Sequence, residues 1–355
     1  MDVDFIPFYL PQFHPIPEND EWWGKGFTEW TNLAKAKKLF WGHDQPLVPS
    51  DLGFYDLRLS ESRVEQARLA KEHGIAAFCY WHYWFGDHRR ILERPFKEVV
   101  SSGEPDLPFC LGWANQTWSG IWHGDSKRIL MEQKYPGPED FSNHFYALLP
   151  AFKDERYYKV GERPLFVIYR PQELPDGAQF VELWNKLALK NGLPEFYFVG
   201  CRMAHDDPNY DYGYFDATTM LRPTFKDWYG TIIFRALLNN PLYKLTPKLH
   251  SYKKASKNAF ENEHLFDSDL PCVFSGWDNT PRSGKLGHVY LKPSPEKFAE
   301  QIEKAIGALE TRSAEEKIVF VRSWNEWAEG NVLEPSFRYK DDYLKVIQRF
   351  KSGDA

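Results

Sequence analysis

The sequence predicts an α/β fold, a single (β/α)8 TIM barrel with loop insertions on its top face. Three observations carry that expectation. Eight short apolar runs alternate with amphipathic stretches along 355 residues, a length that one barrel of ~250 residues or more accommodates. The glycine-rich fingerprint of a doubly wound sheet is absent after the first run, where Pro11-Gln12-Phe13-His14-Pro15 stands instead. Residues just past the runs are aromatic and hydrogen-bonding, as on the catalytic face of a barrel.

The expected strands are Phe5–Leu10, Ala76–Tyr80, Phe109–Gly112, Leu165–Tyr169, Tyr197–Gly200, Ala217–Leu221, Cys272–Ser275 and Ile318–Val321. Their lengths and apolar character suit strands buried on both faces. The expected helices are Glu61–His73, Pro95–Ser101, Pro138–Phe152, Gln179–Asn191, Pro295–Leu309 and Asp341–Phe350. In Pro295–Leu309 the apolar set Phe298, Ile302, Ala305 and Ile306 follows the helical period. Such alternation most economically closes a parallel barrel. One catalytic domain over 1–355 is expected, with an insertion at about 222–270 between the sixth and seventh strands. That insertion is basic around Lys244–Lys257, with Lys253 and Lys254 adjacent. A solvated helix face is the plainer explanation, and a lid meeting an anionic substituent the sharper one.

A net charge of −6 argues against nucleic acid or an anionic membrane as the main partner. No segment approaches the length of a membrane span, so no membrane insertion is expected. The four cysteines, Cys79, Cys110, Cys201 and Cys272, each sit in an apolar run without metal-ligand spacing. Reduced core thiols and a cytoplasmic location are therefore expected, or a periplasmic one if a leader was removed. No metal and no cofactor are expected. Tryptophans in polar segments, Trp22, Trp23, Trp30, Trp118, Trp122 and Trp277, suggest a lined cleft.

The strongest functional signal follows the last strand, in Ser323-Trp324-Asn325-Glu326-Trp327-Ala328-Glu329-Gly330. Two acids three residues apart share one side of a helical turn, with Cβ atoms roughly 5–6 Å apart. At that range both cannot ionise freely, so one pKa should rise toward the value a general acid needs. The neighbouring tryptophans offer flat faces to sugar rings. The plainer alternative is a solvated first turn of a helix, where acids favour the dipole. A barrel decides between them by bringing all strand ends together. Those ends carry Tyr9, Gln12 and His14; Trp81, His82 and Tyr83; Trp113, Asn115 and Gln116; Trp277 and Asp278; then Asn325 with Glu326 and Glu329. Such a collection suits a carbohydrate, whose hydroxyls need polar partners and whose ring faces need flat ones. An oligosaccharide or polysaccharide is the expected substrate.

The motifs resemble those of WbsX-type proteins of bacterial surface-polysaccharide clusters, which are related to glycoside hydrolase family 99. The matching segments include Phe8–Pro15, Glu21–Trp30, Gly53–Arg58, Phe78–Trp84, Trp113–Asn115, Gly276–Thr280 and Trp324–Gly330. They run through nearly the whole chain in order. Family 99 enzymes are (β/α)8 retaining endo-mannosidases that need no metal and use two glutamates. The resemblance implies that Glu326 deprotonates a sugar 2-hydroxyl, which attacks C1 from within. It further implies that Glu329 protonates the leaving oxygen and later activates water. In WbsX-type sequences the position after Trp-Ala-Asn is often acidic, whereas Gln116 stands here, which reads as a neutral hydroxyl-binding amide.

The expectation is thus a retaining, endo-acting glycoside hydrolase on mannose-like or rhamnose-like linkages. Two alternatives come from other classes: a glycosyltransferase of O-antigen or surface-polysaccharide synthesis, and a degenerate glycan-binding barrel. A metal-dependent transferase would want an Asp-x-Asp site. Asp267-Ser268-Asp269 has the spelling but precedes strand seven at the bottom of the barrel, and Asp206-Asp207 reads equally as a turn.

Overall fold

A computed structural model describes residues 3–120, 125–225, 246–260 and 268–353. Trp122, Lys244, Asp267 and much of the 222–270 insertion lie outside the described residues. Eight parallel strands form the barrel: β1 (Asp4–Tyr9), β2 (Phe78–His82), β3 (Phe109–Trp113), β4 (Arg163–Ile168), β5 (Tyr197–Arg202), β6 (Ala217–Met220), β7 (Cys272–Val273) and β8 (Ile318–Val321). Each but β6 pairs with its successor, and β8 returns to β1 through the register Asp4↔Ile318 to Pro7↔Val321. Between β6 and β7 the circuit is completed by one parallel bridge, Thr218↔Asp269. Asp269 is buried there and ion-paired with Arg202, so it serves the barrel wall.

Helices follow strands where the 3.6-residue period placed them: Ser60–Glu72, Arg94–Ser102, Pro138–Phe152, Gly177–Lys190, Pro295–Gly307 and Asp342–Ser352. Proline opens two of these at the first helical position, where its missing N–H costs nothing. The described part of the insertion includes the short helix Tyr252–Lys257. Lys253 and Lys254 lie on its exposed side, opposite buried Tyr252 and Ala255. Among the described residues no helix is long and apolar enough to cross a membrane. All four cysteines are free and buried.

Side chains alternate along each strand between the barrel interior and the helical layer. Phe8 and Trp81 point inward and stack at 4.6 Å with an interplanar angle of 4°. Trp81 lies over Gly112, where a Cβ would come within 2.9 Å of its ring. A side chain at that position would evict the indole from the floor of the site. Tyr9, His82 and Trp113 occupy the opposite parity and face the helices.

Candidate active site

At the carboxyl-terminal rim, β8 does not open into a helix. Asn325–Glu326 pairs antiparallel with Asn331–Val332, and a 3-10 turn over Trp327–Glu329 joins the two. The expected helical turn is therefore the tip of a hairpin, and the plainer alternative of a solvated helix start is corrected. A 3-10 turn eclipses residues three apart, which puts Glu326 and Glu329 on one side. Gly330 ends the turn at φ 59°, and a Cβ there would meet the Asp278 backbone nitrogen at 3.0 Å. The hairpin is stitched to β1 by Asn325, whose Oδ1 accepts from Leu10 N at 2.7 Å and whose Nδ2 donates to Leu10 O at 3.0 Å. Ser323 Oγ accepts from the backbone N–H groups of Asn325 and Glu326.

One guanidinium organises the acids. Arg282 donates through Nη1 to Glu329 Oε1 at 2.6 Å and through Nη2 to Glu326 Oε2 at 2.7 Å. Its Nε and Nη2 also reach Glu29 Oε2, at 3.2 and 3.1 Å. All four side chains are largely buried. Arg282 is delivered by the short helix Thr280–Ser283, whose first residue donates N–H and Oγ–H to Asp278 Oδ1. The other Asp278 oxygen accepts from His43 Nε2 at 2.7 Å and Gln45 Nε2 at 2.9 Å, and Asp278 N donates to Glu329 O. Asp278 thus ties three loops into the frame that aims Arg282.

Burial raises the pKa of Glu329 to about 7, and the Glu326 charge pushes the same way, while Arg282 and Arg322 oppose it. Burial raises Glu326 as well, with Arg282 again opposing. Both carboxyls are thus raised by burial and opposed by the guanidinium they share. Burial also sets Tyr169, a neighbour in the cavity, above the usual phenol range.

The pair opens into a cavity of about 400 Å³. Of the residues expected to bind substrate, Gln12, Trp81, Tyr83 and Gln116 line it with Glu326 and Glu329. The wall is completed by Trp23, Trp118 and Tyr169 with Arg282, Arg322 and Glu29. The other expected residues are placed elsewhere. Tyr9 donates to Gln66 in the helical layer, and His82 contacts His144 at 2.9 Å. Trp113 donates to Trp84 O, and Asn115 joins the Arg170 backbone to Tyr135. His14 is buried away from the cavity. Asn325 and Asp278 are frame residues, and Trp277 with Asp278 lines a second cavity. The strand-end rule pointed to the rim where the acid pair and this cavity lie, but not to which parity looks inward.

Sequence reasoning missed Arg282, Glu29 and Arg322. Glu29 sits in the quoted Gly26-Phe27-Thr28-Glu29-Trp30 motif, where an acid among aromatics was a usable signal. Arg282, in Thr280-Pro281-Arg282-Ser283, carried none beyond nearness to Asp278. Missed too was Glu334, which is 2 % exposed behind the hairpin. It accepts from Tyr55 Oη, Gln66 Nε2 and Trp327 Nε1 at 2.9, 2.6 and 2.6 Å. Burial raises its pKa to about 7 despite these donors.

The fold and its rim define a (β/α)8 barrel with a buried acid pair at its carboxyl-terminal mouth. Residues 5–347 match the profile described as Glycosyltransferase WbsX, and the chain belongs to that family. It is 39% identical over 353 residues to the uncharacterized protein WxcX of Xanthomonas campestris pv. campestris strain B100, and equally so to that of strain ATCC 33913. These alignments cover 98% of this chain and 50% of the relatives, so the chain spans about half their length. Among solved structures, a glycoside hydrolase-like protein superposes with a TM-score of 0.62 at 15% identity, covering 98% of this chain and 93% of that one. The GH99 endo-alpha-mannosidase from Bacteroides thetaiotaomicron in complex with BIS-TRIS-propane gives 0.58 at 14% identity, covering 100% and 97%. At such identities the likeness establishes the fold.

Proposed function

We propose that the chain is a carbohydrate-active enzyme, a retaining endo-acting glycoside hydrolase on mannose-like or rhamnose-like linkages of a bacterial polysaccharide. The observation that carries this reading is one buried guanidinium holding an oxygen of both Glu326 and Glu329 at the mouth of an aromatic cavity. Glu326, held beside Arg282, takes the proton of the sugar 2-hydroxyl, and that oxygen attacks C1. Glu329, protonated up to about pH 7, gives its proton to the departing glycosidic oxygen. The bond from C1 to the leaving group breaks as the bond from O2 to C1 forms, giving a 1,2-anhydro sugar. Glu329 then takes a proton from water, which opens the ring at C1, and Glu326 returns the proton to O2. Two inversions at C1 give net retention. Trp23, Trp81 and Trp118 supply flat faces, and Gln12 and Gln116 bind hydroxyls.

The test is incubation with purified bacterial surface polysaccharides and α-mannans without nucleotide sugar, with products read by mass spectrometry. Released oligosaccharides, lost in Glu329→Gln, are the expected result. No release, with chain growth once nucleotide sugars are added, would make the chain a transferase.

A further inference from the structure

A second cavity, of about 320 Å³, opens on the same rim. Trp41, Trp277, Tyr339, Lys292 and Arg338 are among its lining residues. Only a thin rib separates it from the first cavity: Glu329 lines one, the next residue Gly330 lines the other, and Asp278 N is bonded to Glu329 O. Trp277 forms part of the shared wall, since its ring lies under the guanidinium of Arg322, 5.5 Å from its centroid, and Arg322 lines the first cavity.

Two features set this cavity apart from a packing defect. Trp41 is 100% exposed, so an indole with both faces in water stands at the lip. A tryptophan left that way is unusual unless something covers it. Trp277 is 5% exposed, and its indole N–H is buried with no acceptor among the described residues. A buried donor without a partner calls for an explanation, and a turn of the indole toward the cavity would let a hydroxyl supply one. Lys292 is exposed at the edge. Arg338 is paired with Asp44, at 2.5 Å, and both Asp278 oxygens are occupied by His43, Gln45 and Thr280. What the cavity offers is therefore an aromatic platform, donors and spent carboxylates, the complement of a hydroxylated ring rather than of a peptide or a metal ion.

We propose that this cavity is a second glycan-binding site, which holds a pyranose of the same polymer whose linkage is cut beside Glu329. The inference rests on the proposed function above, because continuity with a glycan-filled first cavity is what selects the occupant. The enzyme would then grip its polymer at two places and favour long chains over short ones.

The test uses Glu329→Gln protein, which keeps the first cavity but cannot cut, on an array of bacterial surface polysaccharides and α-mannans. It is compared with Glu329→Gln carrying Trp41→Ala and with Glu329→Gln carrying Trp23→Ala. Trp41 touches nothing in the core, so its loss leaves the fold intact. Each added change should weaken retention roughly three- to tenfold, the scale of one lost aromatic platform. Loss with Trp23→Ala but none with Trp41→Ala overturns the second site and leaves the first reading standing. Loss with Trp41→Ala but none with Trp23→Ala overturns the claim that one polymer fills both cavities. Retention of no polysaccharide by the parent protein overturns both.

Discussion

Two buried carboxyl groups, Glu329 and Glu334, lie five positions apart, and burial raises both to about 7. They differ in company. Glu329 faces a cavity and shares Arg282 with two other acids. Glu334 accepts from neutral donors, Tyr55, Gln66 and Trp327, with Trp324 beside them, and is sealed behind the hairpin. A raised pKa alone thus does not mark a catalytic acid. Access to a cavity and a shared guanidinium are what single out Glu329 for the proposed role. Glu334 instead anchors Trp327, in the turn that joins Glu326 to Glu329.

The largest expected effect separates the two groups directly. Glu329→Gln should lower turnover on an unactivated glycan by roughly 10²- to 10⁴-fold, the contribution of a positioned general acid, as read by steady-state kinetics. Glu326→Gln should fall by a similar factor, and restored turnover with the glutamine would refute its role as base.

Arg282→Gln comes next. Breaking a buried ion pair from one side is expected to cost about 3–5 kcal/mol, which chemical denaturation can read. The rate profile carries a sharper signature. Rate should fall above about pH 7 as Glu329 loses its proton. Because Arg282 lowers both acids, its removal should move both limbs of the profile to higher pH. An unmoved profile would mean that Arg282 does not set the pair.

Smaller effects belong to the anchor. Trp327→Phe removes one donor from Glu334 and should cost about 1–3 kcal/mol, with turnover changing much less than in Glu329→Gln. For Glu334 itself the folded pKa is above the ordinary 4.5. Its stabilising contribution is then complete below the unfolded value and lost as pH rises through about 7. Glu334→Gln should accordingly flatten part of the decline in thermal stability between those two values, leaving the share due to Glu329.

The barrel was legible in the sequence because its signals are local. The strand Ile318–Val321 and the helix Pro138–Phe152 have the expected bounds, since apolar run length and a first-turn proline act within one element. Glu326 and Glu329 were legible for the same reason. Parity was not: nothing at the end of β2 tells that Trp81 looks into the barrel while His82 looks out, because both neighbours are apolar layers. The clamp was illegible for a different reason. Glu29, Arg282 and Glu326 come from three separate segments brought together only when β1, β7 and β8 become neighbours around the barrel. Arg282 also depends on Asp278, which expectation had placed against the sugar and which the structure uses as a frame.

The most direct measurement sets wild type, Glu329→Gln and Glu334→Gln side by side on a polysaccharide that the wild type cuts, counting released reducing ends. Glu329→Gln is expected to be silent, while Glu334→Gln keeps turnover within about tenfold of wild type and loses stability instead. Near-native cutting by Glu329→Gln, or silence of a folded Glu334→Gln, would contradict it.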